Sequence, residues 1–171
     1  ASDELIRLYT FSDTDLALIR QHRGAQNRLG FAVLLCYMRY PGILLSVDAV
    51  PAPSLLRTVA SKIKVPVEAW ADYGQREQTR REHLVELQSV LGLRTFTTLS
   101  HYRAAVHGLN ELALQTDKGI VLAHALAESL RSQGIFLPTF DVIERICAEA
   151  ITRSNKHIHA ALSDTLTRVN R

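Results

Sequence analysis

Apolar residues recur at helical spacing along almost the whole chain. They return every three or four positions, and no segment shows the strict alternation that is typical of a half-buried strand. Gly24, Pro41, Pro66 and Gly92 interrupt this pattern at positions where helices commonly end. The pattern therefore predicts an all-α fold of about eight helices in two small helix-turn-helix-like bundles, ending in a long C-terminal helix.

The first predicted bundle has the clearest start and stop signals. Ser12 is followed three residues later by Asp15, which is a variant of the capping box. Both sides of the second segment are apolar, which favours a central, buried helix. The predicted helices are SDTDLALIRQ, about 26–40, a segment that starts at Ser54, a short helix at 67–73, and about 75–91.

The second predicted bundle contains helices at 101–116 and 118–133, and then a long helix that starts at Thr139 or Asp141. About 30 residues at 1.5 Å each make the last helix about 45 Å long. Its pattern has not ended at Arg171, so we expect the natural protein to continue. The bundle boundary is expected near 92–97, which gives modules of 1–94 and 95–171. The apolar stripe of this helix is Ile143, Ile146, Ala150, Ile158, Ala161 and Leu162, and it continues toward Val169.

The composition is that of an ordinary globular protein, with 47% hydrophobic and 22% charged residues. No apolar run reaches the roughly 20 residues that a bilayer helix needs, so no membrane contact is expected. The first residues lack the features of a secretory signal. Cys36 and Cys147 lie within apolar helical patterns and are expected to be buried thiols in a reducing cytoplasm.

The net charge of +3 is small, but the positive residues are clustered. The stretch YGQREQTRREHL at 73–84 places arginines at the start of a helix, where cations are unfavourable by roughly 0.3 to 1 kcal/mol each. The stripe of Leu84, Leu87 and Leu91 projects backward onto Arg80. Because a buried, unpaired arginine is costly, this half of the helix is expected to project beyond the core or meet a charged partner.

A DNA phosphate would remove this conflict, since helix N-termini and arginines both bind phosphate. Arginine, glutamine and threonine also read base edges. The short helix at 67–73, a turn at Gly74 and the next helix have the outline of a helix-turn-helix. A solvated helix start with internal ion pairs remains the alternative. The candidate DNA-binding residues here are Gln75, Arg76, Gln78, Thr79, Arg80, Arg81 and His83.

The stretch IRQHRGAQNRLG at 19–30 is a second candidate, because basic and polar residues cluster at a predicted turn. Phosphate contact is the functional interpretation, and a basic loop between helices is the alternative. The candidate residues are Arg20, His22, Arg23, Asn27 and Arg28. We expect Arg80→Ala to weaken specific binding by roughly 1 to 3 kcal/mol. Arg23→Ala should weaken specific and nonspecific binding alike.

Signals for catalysis are missing from the sequence. His157 and His159 are two residues apart and face apart on a helix, and neither cysteine has a CxxC partner. No phosphate-binding glycine loop and no GxSxG elbow is present. We therefore expect no enzyme activity and no cofactor in this chain.

Four blocks, in this order and at this spacing, resemble the N-terminal region of transposases of the Tn-three family, of the gamma-delta type. The blocks are RGAQNRLGFAVLLCYMRYPG, YGQREQTRREHL, SHYRAAV and LALQTDKGIVLA, within a similarity that runs from about Asp3 to about Ala161. The resemblance implies a bacterial, nucleoid-associated helical region that binds double-stranded DNA at the transposon's terminal inverted repeat. Through the SHYRAAV block it adds His101 and Arg103.

The resemblance further implies that catalysis in that family belongs to a downstream RNase-H-like domain, in which three acidic residues hold divalent metal. That domain is absent here. The chain would then recognise transposon ends without performing strand transfer, and a dimeric full-length protein on DNA fits this view. The alternative is a helical scaffold whose long last helix joins other transposase domains or a second subunit. An exposed apolar stripe along 143–169 would support it.

Overall fold

A computed structural model of the chain describes residues 9–74 and 76–169. Within these ranges the fold is all-α, and the one strand-like feature is an isolated bridge between Arg94 and Ile135. The all-α prediction is thus confirmed. The chain divides into two compact units, of which the first ends at Leu93 and the second begins at Arg94. No helix in these ranges is long and apolar enough to cross a membrane.

The first unit is built from four α-helices and one 3-10 helix in the described residues. The predicted capping box is present at the start of the first helix. Ser12 Oγ accepts the Asp15 N–H at 3.1 Å, and the Asp15 carboxylate accepts the Ser12 N–H at 2.8 Å. The elements are α1 (Asp13–Arg20), α2 (Ala25–Arg39), α3 (Pro53–Ile63), the 3-10 helix (Val67–Asp72) and α4 (Glu77–Leu91).

Helix α2 is the centre of the first unit, as its two apolar sides predict. Every residue from Leu29 to Cys36 is buried. The helices α1, α3 and α4 and the 3-10 helix all pack against it. The absence of a side chain at Gly30 lets the ring of Tyr73 lie directly on the α2 backbone. Cys36 is a buried free thiol, as predicted, and burial raises its pKa to about 12.

A two-pronged ion pair joins α1 to α2. The two terminal nitrogens of the Arg39 guanidinium donate to the two carboxylate oxygens of Asp15, each at 2.7 Å. These bonds hold the pKa of Asp15 below its ordinary value, although burial acts in the opposite direction. The same pairing raises the pKa of Arg39. Asp15 therefore serves both the helix cap and the packing of α1.

The second unit contains α5 (Thr98–Gly108), α6 (Asn110–Gln115), α7 (Gly119–Ser132) and α8 (Phe140–Val169). The prediction of one helix over 101–116 is wrong, because α5 and α6 are separate helices. Leu109, between them, has φ −91° and ψ −4°, and its side chain is buried in the core. Gly108 is a weak helix former, and the buried Leu109 fixes the break beside it.

Helix α8 packs on the other three helices of the second unit along its first half only. Ile146, Cys147 and Ala150 are buried, and Cys147 is the second free thiol. Ser154 is the last buried residue, and its hydroxyl donates to the Ala113 carbonyl at 3.0 Å. Every described residue after Ser154 is exposed. The predicted apolar stripe is therefore buried at Ile146 and Ala150 and exposed from Ile158 onward. Periodicity marks an apolar face without showing what covers it.

Candidate nucleic-acid interface

The turn between α1 and α2 is held together by two of its predicted site residues. Asn27 Nδ2 donates to the Arg23 carbonyl at 2.8 Å. The Arg28 side chain donates to the carbonyl of His22 at 2.9 Å and to that of Arg20 at 3.5 Å. Asn27 and Arg28 thus bind backbone carbonyl groups, whereas the side chains of Arg20 and Arg23 are exposed.

Gly24 makes this turn possible. It precedes the first residue of α2 and has φ +87°, a left-handed region that favours glycine. No side chain caps the N-terminus of α2. Only four residues separate the two helices. The exposed Arg20 and Arg23 lie at the end of α1 and within this turn.

Helix α4 begins at Glu77, two residues later than predicted, and Arg76 is its N-cap residue. Gln75 lies outside the described residues. Arg76 is exposed, and Thr79 is half-buried. Arg81 pairs with Glu77 at 3.0 Å. This pair lies within the helix, which agrees with the alternative interpretation of a solvated helix start with internal ion pairs.

A second bond within α4 joins its exposed amide to an acid one turn later. Gln78 Nε2 donates to Glu82 Oε1 at 2.9 Å. Both side chains are exposed, so an incoming polar group can replace this bond. The start of α4 therefore presents cations and an amide together with the acids that already bind them.

Arg80 contradicts the expectation that the first half of this helix cannot pack on the core. Its side chain is only 5% exposed, and its guanidinium donates to the backbone carbonyl of Leu45. A carbonyl partner from the segment after α2 supplies the hydrogen bond that burial requires. In this conformation Arg80 is part of the core and does not lie on the candidate DNA surface.

His83 is likewise inside the unit, with 4% exposure. The hydroxyl of Tyr73 lies 2.8 Å from its Nδ1. Burial, and then the neighbouring His22, lower the pKa of His83 to about 4. Burial also raises the pKa of Tyr73, so both groups are uncharged at neutral pH, and the imidazole tautomer sets which of the two donates. His83 is therefore a buried hydrogen-bonding partner of Tyr73 in the core.

His22 brings the two predicted segments together. Its ring centroid lies 4.3 Å from that of Phe31 and 4.4 Å from that of His83. Its Nε2 lies 3.3 Å from the Glu86 carboxylate on α4. The basic turn and α4 are thus neighbours in one unit. The sequence did not reveal the contact of His22 with Glu86, because no local pattern shows contacts between residues so far apart in the chain.

His101 and Arg103, the two remaining site predictions, lie on α5 in the second unit. His101 Nδ1 accepts the Thr97 N–H at 2.8 Å, a bond that caps the start of α5. Arg103 is exposed and lies 3.8 Å from the Glu149 carboxylate on α8. His101 therefore caps its own helix, whereas the Arg103 side chain is exposed. Across the described residues, no three histidine, cysteine or acidic side chains are placed to hold a metal ion.

Comparison with known proteins places this arrangement in a family. A family model described as "Domain of unknown function (DUF4158)" matches residues 1–150. The chain is a DUF4158 protein. The family-level resemblance inferred from the four sequence blocks is confirmed by the transposases that match this DUF4158 chain.

These relatives cover nearly the whole DUF4158 chain. It is 68% identical over 166 residues to the transposase for transposon Tn3926 of Escherichia coli, which is 97% of the chain. It is 60% identical over its full length to the transposase for transposon Tn21 of Escherichia coli. The transposase for transposon gamma-delta of Escherichia coli (strain K12) is 26% identical over 163 residues. The chain spans 17% of the length of the first two relatives.

Proposed function

We propose that this DUF4158 chain is the end-recognition part of a larger transposase and binds double-stranded DNA at the terminal inverted repeat. The relatives that it matches are transposases, and it corresponds to a sixth or so of their length. The observation that carries the proposal is the contact of His22 with α4, because it places two arginine-rich segments side by side. In the larger protein, a separate metal-dependent domain would perform strand transfer.

The free cations of these segments favour a phosphate partner. Within the described part of the chain, Arg20, Arg23 and Arg76 form no ion pair. Arg76 also precedes the free amide groups at the start of a 15-residue helix, where anions bind favourably. We assign these three arginines to phosphate contacts.

Among the described residues, the acids of α4 do not lie against these three arginines in hydrogen-bond or ion-pair contact. Glu77 binds Arg81, Glu82 binds the Gln78 amide, and Glu86 lies against His22. The bonds of Arg81 and Gln78 are exposed, and these two side chains can exchange them for base edges in a groove. We assign Arg81 and Gln78 to base contacts and the half-buried Thr79 to the edge of that surface.

The scale of the two segments suits one duplex. Arg76, the N-cap residue of α4, and His83 are seven residues apart, which is about 10 Å along a helix axis. The major groove of B-DNA is about 12 Å wide. His22 contacts His83 and approaches Glu86, so the basic turn lies beside the second and third turns of α4. His101 and Arg103 would add a second contact from the other unit.

Fluorescence anisotropy tests this function. The chain is titrated against the element's own terminal repeat and a scrambled duplex across a salt series. We expect tighter binding to the repeat and a steep loss of affinity with salt, because each phosphate contact releases counterions. Arg76→Ala should weaken binding, whereas Arg57→Ala, an exposed arginine on α3, should not. A flat salt dependence, or equal losses in both variants, would contradict the proposal.

A second candidate function, a scaffold, rests on the outer half of α8. Its side chains at Ile158, Leu162 and Leu166 are 42%, 56% and 64% exposed, and they lie one turn apart on one face. Such a face favours contact with another transposase domain or a second subunit. Sedimentation of the chain tests the second possibility, since Leu162→Glu should abolish any self-association. DNA binding and this contact are compatible with each other.

A further inference from the structure

We propose that His22 is a positioning residue, which holds the basic turn against α4 so that Arg20 and Arg23 engage the same duplex as the start of α4. This inference rests on the proposed function. It concerns how the two segments are joined, and His22 itself need not touch the DNA.

His22 is bound from both sides. On the turn side, its carbonyl accepts the Arg28 Nε–H at 2.9 Å, and the next residue in the chain is Arg23. On the α4 side, its ring meets His83 edge to face at an interplanar angle of 66°, and its Nε2 approaches Glu86. Its ring therefore connects the turn backbone directly to two successive turns of α4.

Aromatic side chains of the core pack against this joint. Phe31, on the buried central helix, packs against both imidazoles, with centroids 4.3 Å from His22 and 5.4 Å from His83. Tyr73 holds His83 from its other side. Because α1 and α4 both pack on α2, α2 carries the general fold. The His22 ring adds the direct connection between the turn and α4.

Removal of His22 should therefore free the turn without unfolding the unit. Arg20 and Arg23 would then lose a fixed position relative to the start of α4. Each phosphate contact contributes about −0.9 to the slope of log affinity against log salt. Loss of two contacts should reduce the magnitude of that slope by up to about 1.8.

The test compares His22→Ala, the double variant Arg20→Ala/Arg23→Ala, and the triple variant that combines them, all by anisotropy on the terminal-repeat duplex. His22→Phe keeps an aromatic ring against Phe31 and should restore part of the slope. His124→Ala removes an exposed histidine from α7 and is the matched control. Circular dichroism melts verify that each variant is folded.

We expect His22→Ala and the double variant to show the same reduced slope, and the triple variant to show no further change. If His22→Ala only lowered stability, it would weaken binding both in the unmodified chain and in the double variant. The slope of log affinity against log salt would then stay unchanged. That result, or a further reduction in the triple variant, would overturn the inference. His124→Ala should match the unmodified chain.

Hydrogen exchange without DNA separates this inference from the proposed function. In His22→Ala, amides of residues 21–24 should exchange faster, while those of the central part of α2 keep their protection. Unchanged exchange in the turn would overturn the positioning role, whatever the DNA result. Absence of salt-dependent binding by the unmodified chain would instead refute the proposed function, and this inference with it.

Discussion

The hydroxyl of Tyr73 and Nδ1 of His83 lie 2.8 Å apart inside the first unit, and their rings are stacked with centroids 5.7 Å apart. Tyr73 follows the 3-10 helix, and His83 is on α4. The bond therefore closes the turn at Gly74, whose φ is +82°. Burial of this pair lowers the pKa of His83, which makes the stability of the unit sensitive to acid.

The free energy of unfolding should decrease as the pH is lowered, because the pKa of His83 is depressed in the folded state. Its folded-state pKa of about 4 is below the value of about 6.5 expected in an unfolded chain. As the pH falls from about 6.5 to about 4, the unfolded state binds the proton first, and stability is lost in that window. The stabilisation by the neutral His83 is fully present above about pH 6.5. The loss should reach at most about 3 kcal/mol, measured by urea unfolding at pH 7.5, 6.0 and 5.0.

The control for this prediction removes both partners. His83→Phe/Tyr73→Phe leaves no unpaired hydroxyl in the core, so it should fold at neutral pH. Its stability should depend less on pH between 6.5 and 4 than that of the unmodified chain. If the double variant kept the full pH dependence, another group would be its source.

Asp15→Ala should lower the free energy of unfolding of the first unit by about 2 to 4 kcal/mol, because the helix cap and two charge-assisted hydrogen bonds are lost together. Asp13→Ala is the matched control, since Asp13 is exposed in the same helical turn. It should cost about 1 kcal/mol or less. Urea unfolding at pH 7 measures both, and equal losses would show that the Arg39 pair contributes little.

Gly30→Ala should destabilise the first unit by about 1 to 3 kcal/mol, although alanine is the better helix former. A Cβ at this position would overlap the Tyr73 ring, which cannot retreat while it is bonded to His83. Gly108→Ala has open space around the added methyl and should be neutral or stabilising by up to about 1 kcal/mol. Thermal melts compare the two, and a stabilised Gly30→Ala would mean that the ring has room to move.

Local features of the fold could be predicted from the sequence, and long-range contacts could not. The capping box at Ser12 and the buried α2 follow from spacing alone. The apolar stripe of α4 continues onto Arg80, but the acceptor that permits its burial, the Leu45 carbonyl, is 35 positions away and has no local signal. The contact of His22 with Glu86 likewise joins distant segments. Residue type thus predicted a cluster of arginines at the start of α4. It did not show that Arg80 is buried while Arg76 and Arg81 are exposed.

Arg80 and Arg81 are adjacent, yet their substitution should have opposite consequences. Arg80→Ala leaves the Leu45 carbonyl without this donor and removes a packed side chain, so it should destabilise the fold by about 1 to 3 kcal/mol. Arg81→Ala removes an exposed pair with Glu77, which contributes about 0.5 kcal/mol or less. Urea unfolding measures the first effect, and anisotropy on the repeat measures DNA binding.

Arg81→Ala should therefore weaken DNA binding at almost unchanged stability. Arg80→Ala, studied at a temperature where it is fully folded, should bind DNA nearly as well as the unmodified chain. This replaces the expectation, drawn from sequence, that Arg80 reads a base. Strong loss of binding by a folded Arg80→Ala variant would restore that expectation and would require the guanidinium to leave the core.

The two halves of α8 should respond differently to the same kind of substitution. Ile146 is fully buried among α5, α6 and α7, so Ile146→Ala should cost about 2 to 5 kcal/mol. Leu162 is 56% exposed, and Leu162→Ala should change stability by no more than about 0.5 kcal/mol. Urea unfolding of the isolated chain makes this comparison. A large loss in Leu162→Ala would mean that the outer half is already covered, which would remove the basis for the scaffold function. A small loss would leave that apolar face open for a partner.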